Sequence, residues 1–166
     1  MNAYVSESRA TQDVDILSTR AKEFAEELRE HLSERFHIAV RVREIGDKGL
    51  RIYQTRTEGN RHLVDVRIEK EFPANQEIEQ IRVLTPVELI ASKVISFRSR
   101  YGQAKSWSDR RDLTVLLQHF PALKTFNGAV EAALVSRGSD AETMKFWREL
   151  VEQDFVIEDE DNDLSF

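Results

Sequence analysis

The chain has 166 residues, with 30 acidic against 24 basic side chains and a net charge of −6. That length suits one domain with a real hydrophobic core, and the acidic balance argues against broad coating of nucleic acid. The absence of cysteine excludes a disulfide framework and a cysteine-ligated zinc site, no apolar run reaches membrane-spanning length, and the opening residues lack the charged-then-apolar pattern of a secretory signal, so the cytoplasm is the expected location.

In chain order, Asp13-Val14-Asp15-Ile16-Leu17 reads as a strand carrying two acids. The period then changes. Ala21, Phe24, Ala25, Leu28, Leu32 and Phe36 recur at three- and four-residue spacing, which predicts an amphipathic helix over about 19–35, capped by Ser18 or Thr19. Ile38, Val40, Val42 and Ile45 predict a strand, and Leu50, Ile52 and Tyr53 another, separated by the turn residues Gly46-Asp47-Lys48-Gly49. Arg61 to Ile68 alternates as a half-buried strand with Asp65 inside it, and 78–84 is a weaker strand. Thr85-Pro86-Val87-Glu88 has the cap, proline and glutamate of a helix start. A polar link over 101–108 leads to a helix through Leu113, Leu116, Leu117 and Phe120, ended by Pro121. Ser139-Asp140-Ala141-Glu142 opens a last helix to about Glu152, before a solvated acidic tail. Strand, helix, strands, then helices imply an α+β fold: an α/β core over 1–84, a helical region over 85–156 and a tail over 157–166.

Alternation places Asp13 and Asp15 on one face of their strand, with Cα atoms about 6–7 Å apart. If the strand bearing Asp65 is adjacent, three carboxylates meet, a set suited to a hard cation such as Mg²⁺ or Mn²⁺. Aspartate at a strand end also caps backbone N–H groups, and spacing alone leaves both readings open. The four histidines have no metal-ligand spacing, and His37 and His62 read as solvent-facing sheet residues. Trp107 and Trp147 read as helix-packing anchors. Arg41, Arg43, Arg51, Arg56, Arg61 and Arg67 fall on polar strand faces, as a solvated surface or as a basic strip for RNA.

The stretch Arg9-Ala10-Thr11-Gln12-Asp13-Val14-Asp15-Ile16-Leu17 resembles the metal-binding signature of the nucleotidyltransferase fold superfamily, in its bacterial branch of abortive-infection and toxin–antitoxin nucleotidyltransferase-like toxins. The resemblance continues in order through Leu63-Val64-Asp65-Val66, the helix Pro86 to Lys93, and Asp109-Arg110-Arg111-Asp112-Leu113. It implies a mixed β-sheet with flanking helices. It also implies transfer of a nucleoside monophosphate from a nucleoside triphosphate to an acceptor: RNA, a protein side chain or a small metabolite. Asp13, Asp15 and Asp65 would then hold the metal, with Asp65 helping to activate the acceptor hydroxyl. Arg9, Thr11 and Lys93 would meet the nucleotide. Asp109, Arg111 and Asp112 would tie two helices together, with Asp109 also stabilising its own helix N-terminus. An antitoxin or a second copy of the chain would be the protein partner.

One departure stands out. The family carries a Gly-Gly or Gly-Ser pair before its aspartates, where backbone N–H groups hold the triphosphate. Here no glycine precedes Gly46, and Ser6 and Ser8 are the only small polar residues in the corresponding region. The first strand and helix are therefore expected to be missing, through shortening, through decay of triphosphate binding, or because another subunit supplies them. The expectations divide three ways: an active transferase, a non-catalytic binding protein of the same fold, or an unrelated α+β interaction domain with Asp65 far from Asp13 and Asp15.

Overall fold

A computed structural model of the chain describes Tyr4, residues 14–46 and residues 49–155. Its class is α+β, and it forms two compact units: one described over 14–73, the other over 74–155 together with Tyr4. Among the described residues no helix is long and apolar enough to cross a membrane.

The first unit is a four-stranded sheet with one helix on it. Its elements are β1 (Val14–Ser18), α1 (Ala21–Phe36), β2 (Val40–Glu44), β3 (Gly49–Gln54) and β4 (Arg61–Ile68). The spatial order is β1-β4-β3-β2. β1 runs parallel to β4, while the β4–β3 and β3–β2 pairs are antiparallel. α1 lies on one face, where Ala21, Ala25, Phe24, Leu28 and Leu32 meet Ile16, Val42, Leu50, Ile52, Val64 and Val66. Those strand positions alternate with Asp15, Arg43, Arg51 and Asp65, so the charged side chains belong to the opposite face. Gly49 is required by close approach: a Cβ there would fall 2.5 Å from the Val66 carbonyl oxygen.

Local details of this unit differ from expectation. α1 begins two residues later than predicted, and Arg20 caps it without a side-chain bond. Ser18 ends β1, and its hydroxyl accepts the Arg20 N–H at 3.1 Å. His37 is not a strand residue. It caps the C-terminus of α1 in the left-handed conformation, at φ 51°, a role usually given to glycine.

The second unit holds β5 (Asn75–Ile78), β6 (Ile81–Leu84), α2 (Pro86–Ser99), α3 (Ala104–His119), a 3₁₀ turn (Pro121–Leu123), α4 (Ala129–Ser136) and α5 (Ala141–Glu152). Its core joins Ile90, Val94 and Phe97 of α2 to Leu113, Leu116 and Leu117 of α3, Val130 and Leu134 of α4, and Phe146, Trp147 and Leu150 of α5. Thr85 caps α2 as the sequence indicates, its hydroxyl accepting the Glu88 N–H. The Glu88 carboxylate instead accepts from Arg137, beyond α4. The cap of α5 is Asp140 rather than Ser139, accepting the Thr143 N–H at 2.8 Å. α4 has no counterpart in the sequence-based reading. Glu131 of that helix is buried, accepting the Asn127 N–H at 2.9 Å and facing Arg148 at 2.9 Å.

The weak strand over 78–84 is in fact a hairpin, β5 against β6. Its two-residue turn, Glu79-Gln80, has φ of 50° and 66°, the paired positive φ of a type I′ turn. Neither residue favours that region, so the usual Asn-Gly signal is absent. Glu79→Asn combined with Gln80→Gly is expected to stabilise the protein by about 1 kcal/mol. A thermal melt should rise by a few degrees; a fall would contradict this turn geometry.

The Glu131 carboxyl is held below the usual carboxylate range, first by the Asn127 N–H and then by Arg148. A depressed folded-state value stabilises the protein above the unfolded carboxylate pKa, and this is lost as pH falls through the folded value. Glu131→Gln should therefore melt below the wild type at pH 7, and the gap should narrow below about pH 4. Melts at pH 7, 5 and 3 check this. A gap as wide at pH 3 as at pH 7 would show that the charge contributes nothing.

Candidate functional site

The parallel pairing of β1 with β4 sets Asp15 directly opposite Asp65. Adjacent strands lie about 4.8 Å apart, so two carboxylates on one sheet face stand side by side. The row continues across the sheet. Asp65 is opposite Arg51 on β3, and Arg51 is opposite Arg43 on β2. Each of the four interrupts an apolar alternation (Ile16, Val64 and Val66, Leu50 and Ile52, Val42), so the neighbours that fill the α1 core turn these charges the other way.

Like charges directly opposite destabilise a sheet unless cations stand nearby. Here they do. Arg51 Nε and Nη2 donate to Asp65 Oδ1 and Oδ2 at 2.8 and 2.9 Å, the two-pronged geometry of a strong arginine–carboxylate pair. His62 Nε2 lies 2.9 Å from Asp65 Oδ1. Asp15 accepts from Arg67 Nη2 at 3.2 Å. The environments differ: the Asp65 side chain is 18% exposed and that of Asp15 is 62% exposed. Burial alone would raise the Asp65 carboxyl, but the Arg51 hydrogen bond and the charges of His62 and Arg51 hold it below the usual range. It is a weak proton acceptor and a persistent anion.

Two carboxylates in register on one face fit a hard divalent cation, since Mg²⁺ takes one or two carboxylates and fills its remaining positions with water and phosphate. Among the described residues no group of three or more histidine, aspartate or glutamate side chains is placed to hold an ion. Asp13, Arg9 and Thr11 lie outside the described residues.

Lys93 sits in the helical unit, on α2. Its Nζ donates to Asp112 at 2.6 Å and Asp109 at 3.3 Å, both on α3, and Arg100 Nη1 donates to Asp109 at 3.0 Å. The two aspartates are each only 4% exposed. Asp109 and Asp112 thus tie α2 to α3, as expected, whereas Arg111, expected to share that role, is exposed. Asp109 lies in the sixth position of α3, too deep to act on that helix's N-terminus.

Two further expectations need correction. Trp147 is a fully buried anchor, but Trp107 is 72% exposed. The buried stripe of α3 runs through Asp109, Asp112, Leu113, Leu116 and Leu117, and Trp107 falls outside it, on the exposed side with Arg111. His62 is a partner of Asp65 rather than an idle sheet residue. Sequence reasoning placed Arg51 in a solvated sheet face or a basic strip for RNA and missed its pairing with Asp65. The one available signal was that an aspartate inside an apolar strand requires a counter-ion.

The family model of the nucleotidyl transferase AbiEii toxin, type IV toxin–antitoxin system, matches residues 1–164. No curated protein and no solved structure matches the chain significantly.

Proposed function

Since the chain belongs to the AbiEii nucleotidyl transferase toxin family, we propose that it transfers a nucleoside monophosphate from a nucleoside triphosphate to an acceptor at the Asp15–Asp65 face of its sheet. The observation that carries this is the in-register placement of these two carboxylates on adjacent parallel strands. It also argues against the reading in which Asp65 lies far from Asp15.

Asp15 and Asp65 would hold Mg²⁺ or Mn²⁺, with Asp13 as the third carboxylate, and the ion would neutralise the triphosphate and lower the proton affinity of the acceptor hydroxyl. In the transfer an acceptor hydroxyl oxygen would attack the α-phosphorus, its proton passing to solvent, while the bond from the α-phosphorus to the oxygen bridging to the β-phosphate breaks and pyrophosphate leaves. Asp65 is suited to holding charge rather than taking the acceptor proton, because Arg51 and His62 keep it ionised. RNA is the acceptor class we favour. Arg41, Arg43 and Arg67 share the charged face with the aspartates and can meet phosphates there. An antitoxin is the partner expected from a type IV toxin–antitoxin family.

The test is incubation with α-labelled triphosphates, Mg²⁺ and total RNA. Label should appear in RNA with the wild type and not with Asp15→Asn. Equal labelling by both would refute the reading. A non-catalytic role is the alternative, motivated by the Arg51 and His62 contacts that already occupy the Asp65 carboxylate. Failure to bind a triphosphate in the presence of Mg²⁺ would favour it.

A further inference from the structure

We propose that Arg51 is a resident counter-ion of Asp65 and surrenders it to the divalent cation, so that loading the carboxylate pair turns the Arg51 guanidinium from Asp65 toward the phosphates. The proposal rests on the carboxylate-pair reading above and adds a positioning residue to it.

The argument begins with lone pairs. A carboxylate offers about four acceptor positions. Arg51 and His62 direct three groups at Asp65, two of them on Oδ1. A cation shared with Asp15 needs Asp65 oxygen on the β1 side, and it would sit close to a guanidinium already in contact with that carboxylate. Two cations at that separation repel strongly in a partly buried setting. Asp65 therefore does not satisfy both fully, and Arg51 yields. Its stem is anchored in β3 between Leu50 and Ile52, both in the α1 core, so the head moves while the base stays. The displaced guanidinium remains on the charged face, beside the carboxylate pair. Its planar fork matches phosphate oxygens as well as it matches carboxylate. Arg51 thus offers the triphosphate a donor from a strand. In the unloaded sheet it does a second thing, relieving the repulsion between Asp15 and Asp65.

A counter-ion that competes and a residue that merely orients Asp65 predict opposite signs. The full chain is titrated with Mn²⁺ alone, free ion being read by electron paramagnetic resonance, and then with inorganic tripolyphosphate with and without Mn²⁺. Arg51→Gln should bind Mn²⁺ about tenfold more tightly than the wild type. In the wild type, Mn²⁺ should strengthen tripolyphosphate binding by a larger factor than in Arg51→Gln. Arg51→Lys keeps the charge but not the fork, so its Mn²⁺ affinity should lie between the two. It carries the test if Arg51→Gln fails to fold. Unchanged or weaker Mn²⁺ binding by the Arg51 variants, with wild-type binding lost in Asp15→Asn, overturns the role of Arg51 and leaves the carboxylate site standing. No Mn²⁺ binding by wild type or variants, or full binding by Asp15→Asn, overturns the carboxylate site and this proposal together.

Discussion

Asp15→Asn is expected to lower nucleotidyl transfer by at least about a thousandfold while leaving the melting temperature nearly unchanged. The two halves of that result have separate causes. The Asp15 side chain is 62% exposed and, among the described residues, its charged contact is with Arg67, whose side chain is 42% exposed. Exposed pairs of this kind contribute about 0–1 kcal/mol, so folding should hardly register the change. An amide, however, cannot supply the charge that a cation shared with Asp65 requires. Asp65→Asn should differ in a telling way. It also removes transfer, but it leaves Arg51 and His62 facing a neutral amide in a half-buried row. It should therefore lower stability as well, by roughly 1–3 kcal/mol. A pair of melts and a pair of transfer assays distinguish the cases. Loss of stability without loss of transfer in either variant would mean that the row holds the sheet and nothing else.

The largest effect on stability is expected at Lys93. Lys93→Met should cost about 3 kcal/mol and lower the melting temperature by about 10 °C. Asp109 and Asp112 are nearly fully buried, and Lys93 reaches both. Without it Arg100 still faces Asp109, while Asp112 loses its 2.6 Å ammonium contact. A buried carboxylate that loses a close cation is costly, much more than the pair was worth intact. The double variant Lys93→Met/Asp112→Leu removes both charges and should recover most of the loss. A single variant melting within about 2 °C of the wild type would show that the ionic tie between α2 and α3 is dispensable.

Much of this architecture is determined by the sequence alone, wherever the cause is local. Alternating apolar residues delimit Arg61–Ile68 as a strand, and the Thr85-Pro86 start fixes where α2 begins, because periodicity and capping act within a few residues. The motif order from Arg9 to Leu113 also points to the family that the match over 1–164 establishes. Tertiary structure decides what depends on distant partners. The parallel pairing of β1 with β4 joins residues 50 positions apart and makes Asp15 a neighbour of Asp65; nothing local specifies it. Arg51 becomes the partner of Asp65 only because β3 lies on the other side of β4. Trp107 and Trp147 look alike in sequence, yet only Trp147 turns toward the four-helix core. The hairpin turn at Glu79-Gln80 carries positive φ on two residues that resist it. Pairing of β5 with β6 holds that geometry, where local preference would not.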